Sequence, residues 1–188
     1  MKALILNGAE EALDPVIHAA AGQLAARGCE TSEARLRDVE IAGCLGCYRC
    51  WVATPGVCTI NDPGRALAAV LIRSDVALFV TPVVFGGYSY DLKKALDRAV
   101  PLVLPFFTKV DGEVHHQKRY DKYPRIVAVG IARDGDGEDA RLFRQLVARN
   151  AINFHSPAWA CAVVAADWAG NRIAAAIGTA LDEAGVRK

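Results

Sequence analysis

The chain has 188 residues, 53% of them hydrophobic and 23% charged, which suffices for one compact domain, residues 1–188, with a real core. Its 22 basic and 21 acidic residues leave a net charge of +1, so there is neither the positive field that draws a nucleic acid nor a polybasic patch for a membrane surface. Neither partner is expected. The opening "MKALILNG" turns polar by Asn7, too early for a signal-peptide core or a bilayer span, and a cytoplasmic protein is expected. Thiols stay reduced there, and clustered cysteines serve metal or redox chemistry rather than disulfides.

In chain order, "KALILN" (2–7) reads as a buried strand ending at Gly8. "DPVIHAAAGQLAARG" follows as a helix, with Asp14 at the N-cap, Pro15 at the first helical position and Gly28 as the stop. "CETSEARL" (29–36) alternates weakly as a second strand. After a cysteine-bearing loop at 43–60, "DPGRALAAVLIRS" repeats the Asp-Pro opening at Asp62 and Pro63, with an apolar face through Ala66, Leu67, Val70 and Leu71. Then come a strand "DVALFV" (75–80), a helix "SYDLKKALDRAV", a strand "RIVAVGIA" (125–132) and a helix "GEDARLFRQLVARNAINF". A strand "WACAVVAA" (159–166) and a helix "NRIAAAIGTALDEAG" complete the series. Five strands alternating with five helices predict a three-layer α/β/α protein, a doubly wound parallel five-stranded sheet with both faces covered. The insertion at 101–124, "PLVLPFFTKVDGEVHHQKRYDKYP", breaks this rhythm, and a connection that long is read as functional or as an interface, with a merely tolerated insertion as the alternative.

In such sheets ligands lie beyond the carboxyl ends of the strands, so the candidate loops are 8–14, 37–61, 81–89 and 132–137. No G-x-G-x-x-G follows the first strand and no G-x-x-x-x-G-K-[ST] occurs, which leaves a mononucleotide type of site. In "TPVVFGGYSYDLKKALDR" (81–98), Gly86 and Gly87 permit close approach of a flat ligand and Ser89 can cap the next helix. A ligand-free strand-to-helix turn accounts for the same residues.

The cysteine loop, "CLGCYRCWVATPGVC" (44–58), holds four of the six cysteines. C-x2-C-x2-C turns three thiolates toward one small object, and the fourth must return from elsewhere. Pro55 and Gly56 suit the two central positions of a type II turn, which folds Cys58 back toward Cys44, Cys47 and Cys50. The spacing favours a cubane cluster over a tetrathiolate zinc, which usually comes as two separated knuckles. Four metal-free thiols remain the third reading. Cys29 and Cys161 fall on predicted strands and read as packing residues.

Together, the 81–98 segment, the cysteine loop with its "CW" and "TPG-x-C", and "GEVHHQKRYDKYP" (112–124) resemble the iron-sulfur flavoproteins and their cluster-free relatives in the NADPH-dependent FMN reductase family, which have the flavodoxin-like fold. The resemblance implies FMN with its ring on Thr81, Pro82, Val83, Val84, Phe85, Gly86 and Gly87, and a [4Fe-4S] cluster on Cys44, Cys47, Cys50 and Cys58. It also implies a homodimer or homotetramer. The phosphate would sit on the loop that starts at Asn7, Gly8 and Ala9, but "NGAEEALDP" has no hydroxyl and carries Glu10, Glu11 and Asp14, a departure that costs phosphate binding unless those acids turn to solvent. The expected function is that of a flavin-dependent oxidoreductase taking electrons from NAD(P)H, another small-molecule donor or a ferredoxin-like protein. A cluster-free NAD(P)H-dependent FMN or quinone reductase, and a non-catalytic iron-sulfur carrier or partner subunit with a degenerate flavin site, are the alternatives. His115 and His116 are expected at the surface or an interface; Tyr48, Arg49 and Trp51 are expected to pack around the cysteine loop. His155 is expected to make a structural hydrogen bond.

Overall fold

A computed structural model describes residues 1–110 and 112–187; Asp111, inside the 101–124 insertion, and Lys188 lie outside it. The parallel sheet is built from β1 (Lys2–Asn7), β2 (Glu30–Arg35), β3 (Val76–Pro82), β6 (Arg125–Ile131) and β7 (Trp159–Val164) in the order β2-β1-β3-β6-β7. Strand order reverses between β1 and β3, which opens a crevice above their carboxyl ends. This is the flavodoxin-like arrangement.

Alternation along the central strands divides the core into two layers. Ala3, Ile5, Val76, Leu78, Val127 and Val129 face one side, where α1 (Asp14–Ala26) and α6 (Gly170–Glu183) pack. Leu4, Leu6, Ala77, Phe79, Ile126 and Ala128 face the other, covered by α3 (Pro63–Arg73), α4 (Tyr90–Asp97) and α5 (Glu138–Asn153). β2 is an edge strand with mostly exposed side chains. It is held in register by β1 from Lys2 opposite Glu30 to Asn7 opposite Arg35 rather than by burial.

The insertion forms a separate antiparallel hairpin, β4 (Val103–Val110) and β5 (Glu113–Lys118), with Phe107 opposite His116. It leaves Phe106, Phe107 and Val114 exposed. His115 corrects the surface expectation: it is buried, its ring Nδ1 lies 2.9 Å from Asn153 Oδ1 on α5, and Nε2 lies 3.2 Å from Glu113. The hairpin is thereby fastened to the domain. His155 meets its expectation, with Nε2 2.6 Å from the His116 carbonyl.

Candidate functional site

Two places carry the candidate chemistry: the crevice above β1, β3 and β6, and the cysteine loop after β2. In the crevice, the Gly8 amide donates to the Val80 carbonyl (2.8 Å), which presses the end of β1 against β3. A Cβ on Gly8 would lie 2.6 Å from Ser89 Oγ and 2.8 Å from Leu92 Cβ, so the contact of this loop with the start of α4 requires glycine. Asn7 is buried, and its side chain accepts from the Ala9 amide (3.0 Å) and donates to Glu33 (2.9 Å). Asn7 therefore shapes the loop instead of offering its amide to a ligand.

The three acids of this loop are deployed in two ways. Glu10 and Glu11 are exposed, whereas Asp14 lies 3.5 Å from the Arg37 guanidinium, which also donates to the Ala9 carbonyl (3.0 Å). Asp14 is the first residue of α1 rather than its cap: Leu13 occupies the cap position, and the Asp14 carboxylate is drawn to Arg37. The short 3-10 turn Glu11–Leu13 leads into α1, and the amides that precede such a turn have no partner within it. Main-chain donors and the positive end of α1 thus remain for a phosphate, with no hydroxyl added.

The 81–89 loop is tightly braced. Thr81 is fully buried; its hydroxyl accepts from the Ser89 amide and donates to the Pro82 carbonyl, both at 2.9 Å. Val83 donates to Ile131 (2.8 Å), continuing the β6 pairing beyond the strand. Val84 and Gly87 exchange both main-chain hydrogen bonds across a two-residue turn in which Phe85 (φ 48°) and Gly86 (φ 73°) are left-handed. Phe85 stands at the tip, 95% exposed. Ser89 accepts from Leu92 N (3.4 Å) and caps α4 as expected. Beside this loop, Leu13, Pro82, Ile131, Ala132 and Ala165 line a cleft of about 330 Å³, within the size range of small-ligand sites. Residues 7–9 and 81–87 thus stand at neighbouring strand ends, but of them only Pro82 lines this cleft, whose wall also carries Arg133 and Asp167; Asn7, Ala9 and Thr81 are buried and shape the loops.

On the cysteine loop, the Val57 amide donates to the Thr54 carbonyl (2.9 Å) and Gly56 has φ 86°, the type II turn expected at Pro55-Gly56. The short α2 (Arg49–Val52) carries Cys50, and the Gly56 amide donates to the Cys50 carbonyl (3.0 Å). Burial foremost, then the proximity of Cys58, Cys44 and Cys47, pushes the Cys50 thiol up. Cys44, Cys47 and Cys58 thus each lie within electrostatic reach of Cys50. Among the described residues no three His, Cys, Asp or Glu side chains are close enough to hold a single metal ion. The two observations concern different lengths: one zinc draws its thiolates to about 4 Å from each other, whereas a cubane is a larger object.

A residue outside the sequence expectation braces this loop. Arg98, just after α4, has a side chain only 1% exposed and grips both carboxylate oxygens of Asp62 (2.7 and 2.8 Å). It also donates to the Ala42 carbonyl (2.8 Å) and the Ile60 carbonyl (3.3 Å), the two ends of the cysteine loop. Burial alone would lower the Arg98 pKa, but Asp62 and the neighbouring Cys58 thiol outweigh it and raise it, so the group stays a cation. Asp62 keeps the N-cap position of α3 while its carboxylate serves Arg98 and the Ala42 amide (2.9 Å). Burial would raise Asp62; the Arg98 and Ala42 hydrogen bonds and the Arg98 charge outweigh it and hold the carboxyl below its ordinary value. In sequence, Arg98 is one more charge on an amphipathic helix.

Trp51 ties the loop to the hairpin. Its indole N–H donates to the Val103 carbonyl (2.9 Å), and its ring lies 5.5 Å from Tyr48 and 4.8 Å from His116, which in turn lies 4.9 Å from Phe107. Cys29 and Cys161 pack against the two core layers as expected, and burial pushes the Cys161 thiol up to about 12.

Comparison with known proteins rests on this geometry. Residues 1–166 match the NADPH-dependent FMN reductase family. The chain belongs to that family. This FMN reductase homologue is 31% identical over 123 residues to an iron-sulfur flavoprotein of Methanocaldococcus jannaschii, covering 65% of this chain and 57% of that protein. The match therefore spans little more than half of the curated relative. Among solved structures, a NAD(P)H:quinone oxidoreductase from Methanothermobacter marburgensis superposes with a TM-score of 0.70 at 14% identity, over 96% of this chain and 94% of that one. An azoreductase from Bacillus anthracis gives 0.68 at 13% identity, over 98% of both chains. At such identities the likeness concerns the fold. The family member has no helix long and apolar enough to cross a membrane among its described residues.

Proposed function

We propose that this flavin-dependent oxidoreductase binds FMN in the crevice and a [4Fe-4S] cluster on Cys44, Cys47, Cys50 and Cys58. The cluster reading is supported by Cys50 having Cys44, Cys47 and Cys58 all within electrostatic reach, on a loop closed by the Thr54–Val57 turn. A bound flavin would supply acceptance of a hydride or of single electrons. Main-chain amides around Glu10–Ala12 would hold the phosphate, Pro82 and Ile131 would wall the ring, and Thr81 would keep the 82–88 loop in place. Arg98 would set the spacing of the cysteine loop from both its ends. NAD(P)H, another small-molecule donor or a ferredoxin-like protein would deliver electrons, in a reducing compartment such as the cytoplasm. The exposed Phe106, Phe107 and Val114 of the hairpin support a homodimer or homotetramer, which light scattering on the eluted protein tests.

The test is anaerobic purification with iron, sulfide and flavin counted on one sample. About four iron and four sulfide per chain, lost in Cys50→Ser, are expected. A cluster-free FMN or quinone reductase is the second reading, favoured by the exposed positions of Cys44 and Cys47. Flavin without iron or zinc would select it; iron and sulfide without flavin would select the partner subunit with a degenerate flavin site.

A further inference from the structure

We infer that a second ligand site, for a small organic anion with a flat apolar body, lies against Cys58, between the cysteine loop, α3 and the start of the hairpin. A cavity of about 430 Å³ opens there, a volume typical of small-molecule sites. Its floor is apolar: Val57, Ala68, Ile72 and Leu102 contribute, and the small side chains of Ala68 and Ala69 keep the α3 surface low. Its rim is cationic. Arg65 and Arg73, two turns apart on one face of α3, and Lys122 all line it, and no carboxylate does among the described residues.

The cations differ in how far they are already satisfied. Lys122 is paired with Asp75. Arg65 donates from Nη1 to Asn61 (3.0 Å), but its Nε is buried with no partner, and neither Arg65 nor Arg73 joins an ion pair among the described residues. Both guanidiniums line the cavity without a counter-charge among the described residues, and an anion seated there would supply one. The two halves of the cavity then select the ligand class. A neutral aromatic would cover the floor and leave Arg65 unmatched; an inorganic anion would match Arg65 and leave the floor wet. An aromatic carboxylate or sulfonate does both. Cys58 is one of the lining residues, so the bound molecule would shield it.

The site does not depend on the cofactor reading, because the cavity belongs to the chain itself. The experiment is calorimetric titration of the full chain, as purified and after iron chelation, with 2-naphthalenesulfonate. Saturable binding is expected, at least tenfold tighter than for neutral 2-naphthol or for sulfate. Arg65→Gln and Arg73→Gln are each expected to weaken it about tenfold, a typical loss for one charge-assisted hydrogen bond. Ala69→Leu keeps a good helix former and fills the cavity, and it is expected to abolish binding with an unchanged circular dichroism spectrum. On the chelated protein, the ligand is expected to slow iodoacetamide labelling of Cys58 at least threefold while Cys44 and Cys47 react as before. Equal affinity for 2-naphthol or sulfate, unchanged affinity in Ala69→Leu, or unprotected Cys58 would overturn the site.

Discussion

Replacing Arg98 by Met keeps the length of the side chain and removes its charge and every donor. The guanidinium makes two charge-assisted bonds to Asp62 and one to each end of the cysteine loop, at Ala42 and Ile60. Breaking a buried ion pair by deleting one partner costs about 3–5 kcal/mol. The Asp62 side chain is 14% exposed and retains the Ala42 amide, which places this case at the lower end, about 3 kcal/mol. For a chain of this size that is a fall in Tm of about 6–12 °C. Thermal melting by circular dichroism on metal-free protein measures it. Asp62→Asn is expected to destabilise as well, because it leaves Arg98 without its counter-charge, and the double variant is expected to be more stable than the sum of the two predicts. The pH dependence has a definite sign. The folded carboxyl sits below its ordinary value of 3.8, so its contribution is complete above that pH and is lost as pH falls through the lower folded value. Arg98→Met melting within about 2 °C of the parent would refute the bracing role.

Gly8→Ala forces a Cβ into Ser89 Oγ and Leu92 Cβ, and urea denaturation is expected to show a loss of about 1–3 kcal/mol, with flavin affinity falling in parallel. Gly86→Val adds a β-branched side chain at φ 73° whose Cβ would lie 2.7 Å from Leu142 Cβ; a loss of at least about 2 kcal/mol in the same assay is expected. Burial foremost raises the Tyr88 phenol to about 12 against the Asn150 hydrogen bond, so its contribution to stability is complete below pH 10 and is lost as pH rises from 10.0 towards 12; Tyr88→Phe is expected to flatten that limb of the stability profile. In metal-free protein at pH 8, mass-spectrometric mapping of iodoacetamide adducts is expected to find Cys44 and Cys47 first and Cys161 last, since only about one in ten thousand Cys161 thiols is ionised with a pKa of about 12.

The core of the fold was legible because β1, β3 and β6 are buried on both faces and read as unbroken apolar runs. β2 left only a weak trace: "ETSEAR" is exposed and is held by its main-chain register with β1, which side-chain pattern does not report. The Thr54–Val57 turn was legible for the opposite reason, since Pro fixes its own φ and Gly takes without strain the positive φ that a type II turn needs next. The hairpin is not assigned from sequence although "PFFTKV" and "EVHHQK" have strand composition, because the 101–124 break in the βα rhythm is weighed only as a long functional or interface connection. His115 and Asp14 were misplaced through partners distant in sequence, Asn153 and Arg37. Arg98 shares that limit: its burial comes from Asp62 and the two ends of the cysteine loop, and nothing in its own helix signals it.

The rings of Tyr48, Trp51, His116 and Phe107 form one continuous row that spans two stretches of chain far apart in sequence. Such a row works as a splint, so motion of the thiol-bearing bend cannot be separated from motion of the ribbon beside it. A lineage that trims the ribbon must supply another strut or let the bend go slack. Relatives carrying the four thiols are therefore expected to carry the ribbon too, and a homologue with the intact thiol set and a shortened ribbon lacking Trp51's ring neighbours would show that the splint is dispensable.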